Sequence, residues 1–428
     1  MEQFFEQFSH CFHSKTRKSD KIALQYLKGL LLADKKNCTE MALVLDDKTN
    51  NQSLNHFLSD SVWDYKALED SVGSFFYDLL DDEGMSNDCC LLIDECAIVK
   101  KGRKSAGVDR QYCGEVGKIE NCQVGVFGAI CSGSMVNLIK GSLATSKEDT
   151  KIDLAKEIID YTKNHHKLPF SWVSFDAFYG RDMNMLSRLI KDSIAFTGDI
   201  PKTTMIYTEA FQMRIPKRVG TRGKHPTVRK PNKEAIRVDE YIKGLSKRDW
   251  KLMKIRNESR GGKLKAYFHK KTVYILDPGT QKRQKLTLLI RKEITKKNEP
   301  EIVRYTLCYD KEELTTGQWA YRTCKRYFIE KSFKEAKQEL GMKDYQVRGE
   351  KGYLKHMAMV MLAQLFINTQ KLYGIRKTEK LFSVASLVKI MKATDSSIEK
   401  VLENIRKAMD PKRVKTKAFY RKQLVLRI

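Results

Sequence analysis

The sequence lacks most of the short signatures that give away a catalytic or membrane-bound chain. Its longest apolar run, Met357–Ile367, is well short of the ~20 residues a membrane-spanning helix needs. The opening stretch Met1–His10 carries Glu2 and Glu6 and no apolar core, so no secretory leader is expected. CxxC pairs and Cys/His clusters with zinc-like spacing are missing, which argues against a structural zinc module. Nucleotide-cradling glycine loops, HExxH and GxSxG are missing too, and with them the enzyme classes those motifs serve. There is no internal repeat. Ten cysteines are present, and Cys89, Cys90, Cys113, Cys122 and Cys131 sit among apolar residues as reduced, small core residues. The expected compartment is the cytoplasm, beside the DNA of the nucleoid, with no membrane partner.

Acidic residues are scarce as well. Against 80 Lys and Arg there are 53 Asp and Glu, a net charge of +27 over 428 residues. Such an excess implies a polyanionic partner, most simply nucleic acid, and says nothing of fold. It is unevenly spread. Residues 1–96 hold 9 basic and 18 acidic side chains, whereas residues 201–320 hold 30 and 13 and residues 321–428 hold 26 and 10. Phosphate contacts are therefore expected mainly from the second half. An apolar fraction of 41% suffices for a packed core, and the length suits two or three domains.

Along the chain, residues 1–85 read as helical, with an amphipathic segment through Ile22–Leu31 and another through Trp63–Leu80. Cys89–Ile93 is a continuous apolar run ending in Asp94, the pattern of a buried strand that delivers one acid. Lys100–Gly117 reads as a basic, Gly-punctuated connection. Asn121–Ile130 and Met135–Leu143 follow as a hairpin, then a helix over Asp149–Thr162. A second apolar strand, Ser171–Phe175, ends in Asp176. A helix over Met183–Ile194 and a short strand over Ile194–Thr197 close this stretch. The spacing predicts further strands at Lys265–Leu276, Lys285–Thr295 and Glu301–Tyr309, after a Gly/Pro/Lys/Arg-rich loop at Arg214–Lys233. Helices are expected at Tyr321–Leu340, Tyr353–Leu372 and Ser383–Met409.

Strands in a meander, then strands alternating with helices, indicate a mixed α/β sheet. The resulting division is an N-terminal helical domain at 1–85 and a core at 86–200. A β-rich basic insertion at 201–320, a return to the core with C-terminal helices at 321–410 and a basic tail at 411–428 complete it.

Within Tyr321–Leu340, at roughly 100° per residue, Arg326, Glu330, Phe333 and Lys337 fall within about 60° of one another on one helix face. An acid between two bases suits a carboxylate that holds a cation beside bases that hold phosphates. Glu330 thus joins Asp94 and Asp176 as a candidate oxygen ligand for hard divalent cations. Cleavage of phosphodiesters commonly uses two such ions.

The runs IDECAIVKKGRKSAGVDRQYCGEVGKIENCQVGV (Ile93–Val126), VSFDAFYG (Val173–Gly180) and RYFIEKSFKEAKQELGMKDYQVR (Arg326–Arg348) resemble the DDE transposases of bacterial insertion sequences. QSLNHFLSDSVWD (Gln52–Asp64) adds to the likeness, which covers nearly the whole chain and keeps the motifs in order. The resemblance implies a ribonuclease-H-like core with a β-rich insertion between the second Asp and the Glu, and cut-and-paste movement of an element. Carried over, Asp94, Asp176 and Glu330 are the catalytic, metal-binding triad for two Mg²⁺ ions, which Mn²⁺ can replace. Arg326 and Lys337 match the basic residues of the family's Tyr-x2-Arg-x3-Glu-x6-Lys signature, which contact phosphates near the cleaved strand. Its Tyr falls on Thr323, with Tyr321 and Tyr327 nearby. Phe178 stands where Gly is usual, and Glu95 stands where a second Asp is frequent. Glu95 is excluded from the metal site because strand alternation turns it away from Asp94.

Lys100, Lys101, Arg103, Lys104 and Arg110 crowd the loop after the first acid as a phosphate track. Trp319 is the aromatic that the resemblance nominates to stack on a displaced base. The expected partners are double-stranded transposon ends and target DNA, with a homodimer in the synaptic complex. Two alternatives stay open at this point: a structure-selective DNA nuclease on the same core, and a domesticated DNA-binding protein with a silent site.

Overall fold

The computed structural model describes the chain except residues 46–47, 146–149, 165–168, 219–223, 258–262, 295–300, 379–382 and 394–428. The basic tail at 411–428 and most of the last expected helix lie outside the described residues. The described residues form two compact units, one holding Met1–Ser171 and the described residues from Tyr327 to Ala393, the other Trp172–Arg326.

The first unit opens with five helices: α1 (Glu2–Glu6), α2 (Asp20–Leu32), α3 (Cys38–Ala42), α4 (Asn51–Ser59) and α5 (Tyr65–Asp82). In α2 the buried residues Ala23, Tyr26, Leu27, Leu30 and Leu31 recur at the spacing of one helical face. Capping sets two starts. Asn50 and Ser53 form a reciprocal capping box at α4, and the Asp64 carboxylate accepts from the N–H groups of Lys66 and Ala67 at α5. Strands β1 (Cys90–Val99), β2 (Val108–Cys113), β3 (Lys118–Ser132) and β4 (Met135–Leu143) follow, then α6 (Lys151–Asn164). All four strands are antiparallel to their neighbours, with β3 pairing β1, β2 and β4. β2 occupies what the sequence suggested was a plain connection. Its Asp109, Arg110 and Tyr112 are exposed, so it carries no apolar alternation to reveal it.

The second unit holds β5 (Trp172–Phe175), α7 (Ala177–Gly180), α8 (Met183–Lys191), β6 (Phe196–Ile200), β7 (Met205–Ile206), β8 (Met213–Arg214), β9 (Lys230–Pro231), β10 (Ile236–Arg237) and α9 (Val238–Tyr241). Four further strands complete its sheet: β11 (Lys251–Asn257), β12 (Lys263–Leu276), β13 (Arg283–Glu293) and β14 (Val303–Tyr309), followed by α10 (Thr316–Cys324). The sheet runs β11-β12-β13-β14-β6-β5, antiparallel except for the parallel pair β5 and β6. The fold class is therefore mixed α/β. The short pair β8–β9 brackets much of the expected basic loop, part of which lies outside the described residues.

The chain then returns to the first unit with α11 (Tyr327–Glu339), α12 (Glu350–Thr378) and α13 (Val384–Ala393). The continuous helix expected from Tyr321 is thus broken at Lys325–Arg326, which form a turn between α10 and α11. Helix α12 is buried on every side from Gly352 to Asn368 and packs on α2, α4, α5 and β4. A helix so enclosed needs internal partners for its polar groups, and the Tyr353 hydroxyl is buried without one among the described residues. Gln364 accepts from the Leu138 N–H at 2.9 Å and donates to Ser332 at 2.7 Å, and Asn368 donates to the Val136 carbonyl at 2.9 Å. Glu69 of α5 accepts from the Lys140 ammonium at 2.7 Å and the Gly141 N–H at 3.2 Å, docking α5 on β4.

His356 of α12 bonds the Tyr26 hydroxyl at 2.8 Å and the Gly341 carbonyl at 3.0 Å. Burial pushes its pKa down from 6.5 to about 3, so the native state holds it neutral while the unfolded chain protonates it. Stability should fall as pH drops from about 6.5 towards 3, by about 1.4 kcal/mol per unit from this residue. In urea titrations at pH 6.5 and 5.0, His356→Gln is expected to lose ~2 kcal/mol less than the parent protein over that interval. Equal losses would mean that His356 does not carry the effect.

Candidate active site

In the first unit, β1 and α11 face each other across a cleft of about 390 Å³ lined by Asp94, Cys96, Glu115, Glu330, Phe333 and Lys337 among others. Four consecutive residues of β1, Asp94 to Ala97, line it, so Glu95 reaches its edge despite the alternation that was expected to turn it away. Asp94 stands opposite Phe127 in the ladder with β3, and Phe127 packs edge-on against Phe333 of α11 with ring centroids 5.5 Å apart. Glu330, Phe333 and Lys337 follow one another at helical spacing, so the apolar anchor Phe333 fixes which way the charged pair faces. Asp94 is only 8% exposed, and its carboxylate accepts from the Glu95 N–H at 2.8 Å. Glu95 itself pairs with Lys151 of α6 at 3.1 Å. The Lys337 ammonium donates to the Ala97 carbonyl at 2.9 Å and to Glu115 at 3.2 Å. Glu115 also pairs with Lys343 at 3.7 Å. Burial pushes the Cys96 thiol up to about 12, leaving it uncharged at neutral pH.

In the second unit, Asp176 ends β5 and caps α7, accepting from the Phe178 N–H at 2.9 Å and the Tyr179 N–H at 3.4 Å. Burial raises its pKa above the ordinary carboxylate value, and the nearby Arg326 guanidinium opposes that rise. The parallel ladder pairs Ser174 with Thr197 and Phe175 with Gly198, so Asp176 and Asp199 are the next residue of each strand. Asp199 accepts from the Thr306 hydroxyl at 2.7 Å and pairs with Arg326 Nε at 3.4 Å. Helix α7 sits so close to β6 that a Cβ on Gly180 would stand 2.0 Å from the Asp199 carbonyl oxygen.

Comparison with known families decides what these two acid-bearing strands belong to. The profile described as DDE superfamily endonuclease matches residues 7–262, well over half of the chain. The chain belongs to that family. The matched span contains Asp94 and Asp176 and ends before Glu330. The chain is also similar to a probable transposase for insertion sequence element IS701 from Microchaete diplosiphon, at 30% identity over 168 residues. That match takes in 37% of this chain and 43% of the relative, so less than half of the relative's length is spanned. Among solved structures, a piggyBac transposase synaptic complex with hairpin DNA has a TM-score of 0.42 at 11% identity, covering 96% of this chain and 82% of that one. The NurA nuclease from Sulfolobus solfataricus has a TM-score of 0.25 at 9% identity, covering 76% of this chain and 86% of that one. Likenesses this weak carry no argument.

In this member of the DDE family the expected acids are divided between the units, Asp94 and Glu330 in the first and Asp176 in the second. Among the described residues, no three His, Cys, Asp or Glu side chains gather closely enough to hold a metal ion. The cleft offers the carboxylates of Asp94 and Glu330, the oxygen-donor chemistry that hard divalent cations take, with Glu95, Glu115 and Lys337 also in its lining. Arg326 belongs to the turn before α11 and not to the face of Glu330 and Lys337, which corrects the single-helix expectation.

Of the expected phosphate track, Lys101, Arg103, Lys104 and Arg110 are exposed. Lys100 is partly withdrawn, its ammonium 3.5 Å from the centre of the Tyr345 ring, and burial pushes its pKa down to about 8. Trp319 is 2% exposed and packs with Ile255, Phe268, Leu289 and Cys308 in the core of the second unit. So placed, it presents no open ring face to a base. Two acids escaped the sequence analysis. Asp199 repeats the signal that found Asp94 and Asp176, an apolar strand delivering an aspartate, but the strand was read as ending at Thr197. Glu115 lies in the turn between β2 and β3, where sequence gives no hint of its pairing with Lys337.

Proposed function

We propose that the chain is a divalent-metal-dependent DNA transposase that cleaves at the ends of its own insertion sequence and joins the freed 3′-hydroxyl to target DNA. The observation that carries this reading is that Asp94, Glu330 and Lys337 line one cleft in a member of the DDE family. A ribonuclease-H-like core at 86–200 and 321–410, with the β-rich basic residues 201–320 inserted between Asp176 and Glu330, is the architecture this activity calls for. The helical residues 1–85 and the tail 411–428 then stand as further DNA-docking or dimerising parts.

In this reading Asp94, Asp176 and Glu330 supply the oxygen ligands for two Mg²⁺ ions, with Mn²⁺ able to substitute. Bound there, the ions would lower the pKa of the attacking hydroxyl and neutralise charge on the leaving oxygen. The protein's own side chains position and neutralise. Lys337 and Arg326 hold phosphate oxygens of the cleaved strand, and Lys101, Arg103, Lys104 and Arg110 guide the duplex in. Lys100 would join them only by leaving the Tyr345 ring. The partners are double-stranded element ends and target DNA, brought together by a homodimer in the cytoplasm at the nucleoid. A net charge of +27 suits that polyanion.

The test is an excision and joining assay with purified protein, DNA carrying the gene's own flanking ends and Mg²⁺, run beside Asp176→Asn. Cleaved and joined products from the parent protein, both reduced about 10²–10³-fold in the variant, are expected for loss of a charge-stabilising ligand. Cleavage without joining would move the reading to a structure-selective nuclease. End binding without chemistry would leave a DNA-binding protein.

A further inference from the structure

The turn at Lys325–Arg326 poses a problem for the phosphate contact given above to Arg326. A residue on a helix face has its direction fixed by its neighbours one turn away. One in the turn between two helices has its direction set by whatever its side chain meets. One group it meets in this protein is Asp199.

We propose that Asp199 is the positioning residue for Arg326, aiming its guanidinium at a phosphate of the bound DNA strand; this rests on the DNA-processing reading of Arg326. Three features support the role. Asp199 Oδ2 lies 3.4 Å from Arg326 Nε, and both side chains are largely withdrawn from solvent, at 20% exposure for Asp199 and 15% for Arg326. Engaging Nε orients the plane of the guanidinium, whose terminal nitrogens form the fork that reads phosphate. Secondly, Asp199 is itself held: the buried Thr306 hydroxyl on β14 donates to its other oxygen at 2.7 Å. Thirdly, the backbone around Asp199 has little room to move. It lies between β14, whose Thr306 is its ladder partner, and α7, whose Gly180 lies against its carbonyl. A rigid strand thereby sets the aim of a residue that no helix constrains.

Asp199 also follows directly on the residues that pair β6 with β5, as Asp176 does on its own strand. Arg326 thus bears on both acids, pairing with Asp199 and opposing the rise that burial causes at Asp176.

The sign of one measurement separates positioning from plain charge. If Asp199 were only a negative group near a DNA site, its removal would tighten binding. If it aims Arg326, removal weakens binding despite the gain in net positive charge. Element-end DNA would be titrated by fluorescence anisotropy from 50 to 200 mM salt with the parent protein, Asp199→Ala, Arg326→Ala and the double variant. We expect Asp199→Ala to bind about threefold to tenfold more weakly, with the slope of log K against log salt reduced by about one, the signature of one lost phosphate contact. The double variant should bind no worse than Arg326→Ala alone. Thr306→Val, which frees the Asp199 carboxylate without changing charge, should give a smaller loss in the same direction and keeps the test open if Asp199→Ala folds poorly. Unchanged or tighter binding in Asp199→Ala with Thr306→Val silent, or additive losses in the double variant, would overturn the proposal. A parent protein that binds ends but joins nothing would instead defeat the transposase reading, and the binding cycle would still decide the role of Asp199.

Discussion

Asp94→Asn should reduce strand cleavage by about 10²–10³-fold, the scale of removing one charge-stabilising group from an active site, while binding of element ends changes by less than about twofold. The structure explains why the two effects should separate. Asn matches Asp in shape, and its side-chain oxygen can still accept the Glu95 N–H that the carboxylate accepts now at 2.8 Å. The ladder of β1 with β3 runs through ten residue pairs from Cys90 to Val99, so one side-chain substitution leaves the strand in register. The side chain is 8% exposed, too little surface to dominate an interface with a duplex. What the substitution removes is negative charge facing the cleft, beside Glu330. A cation site with a neutral amide in place of a carboxylate loses charge complementarity and most of its affinity. Gel-shift titration beside a cleavage assay checks this, with thermal denaturation of both proteins as the control. If binding and melting temperature fall together with cleavage, Asp94 is holding the β1–β3 sheet and the role assigned to it is wrong.

The parts of this site that the sequence discloses share one property: they are written in local periodicity. Cys89–Ile93 and Ser171–Phe175 are apolar runs that each end in an aspartate, and the structure makes them β1 and β5. The hairpin expected over Asn121–Leu143 forms as β3 and β4, turning at Gly133 with φ +56°, a conformation that glycine adopts without strain. The all-round burial of α12 follows from a mostly apolar stretch, in which Lys355, His356, Gln364 and Asn368 are the buried polar exceptions. What stayed hidden depends on partners distant in sequence. Nothing between Tyr321 and Leu340 is a helix breaker, yet the chain turns at Lys325–Arg326. There Arg322 is engaged by Asp310 at 2.5 Å and lies 4.6 Å from the Trp172 ring, and Lys325 lies 4.2 Å from the Tyr321 ring. Tertiary contacts of this kind override helical propensity. The same holds for Glu115, whose significance is its pairing with Lys337 more than two hundred residues away. It holds for β2, which is held by its ladder with β3 and whose outward side chains are polar.

Trp319 shows how far a residue's type can mislead about its place. An aromatic just ahead of the helix that bears the third acid invites a base-stacking role, but the indole is 2% exposed within the core of the second unit. Helix α10 is fixed at its start by a capping box of Thr315 and Gln318. The Arg322 guanidinium lies 5.5 Å from the Trp319 ring. Trp319→Ala would leave a large cavity among Ile255, Phe268 and Leu289. The expected cost is ~3–5 kcal/mol, which for a unit of this size lowers the melting temperature by roughly 10 °C. Trp319→Phe, which keeps an aromatic in most of that volume, should recover more than half of the loss. Differential scanning calorimetry of both variants provides the measurement, with DNA cleavage assayed well below the lower melting temperature. Core packing predicts a large fall in stability and near-normal cleavage in the cold. A base-stacking role predicts the reverse, an unchanged melting temperature and a specific loss of strand opening. That second result would require the indole to leave the core when DNA binds, and the cavity left behind would then have to be filled by a rearrangement of α10.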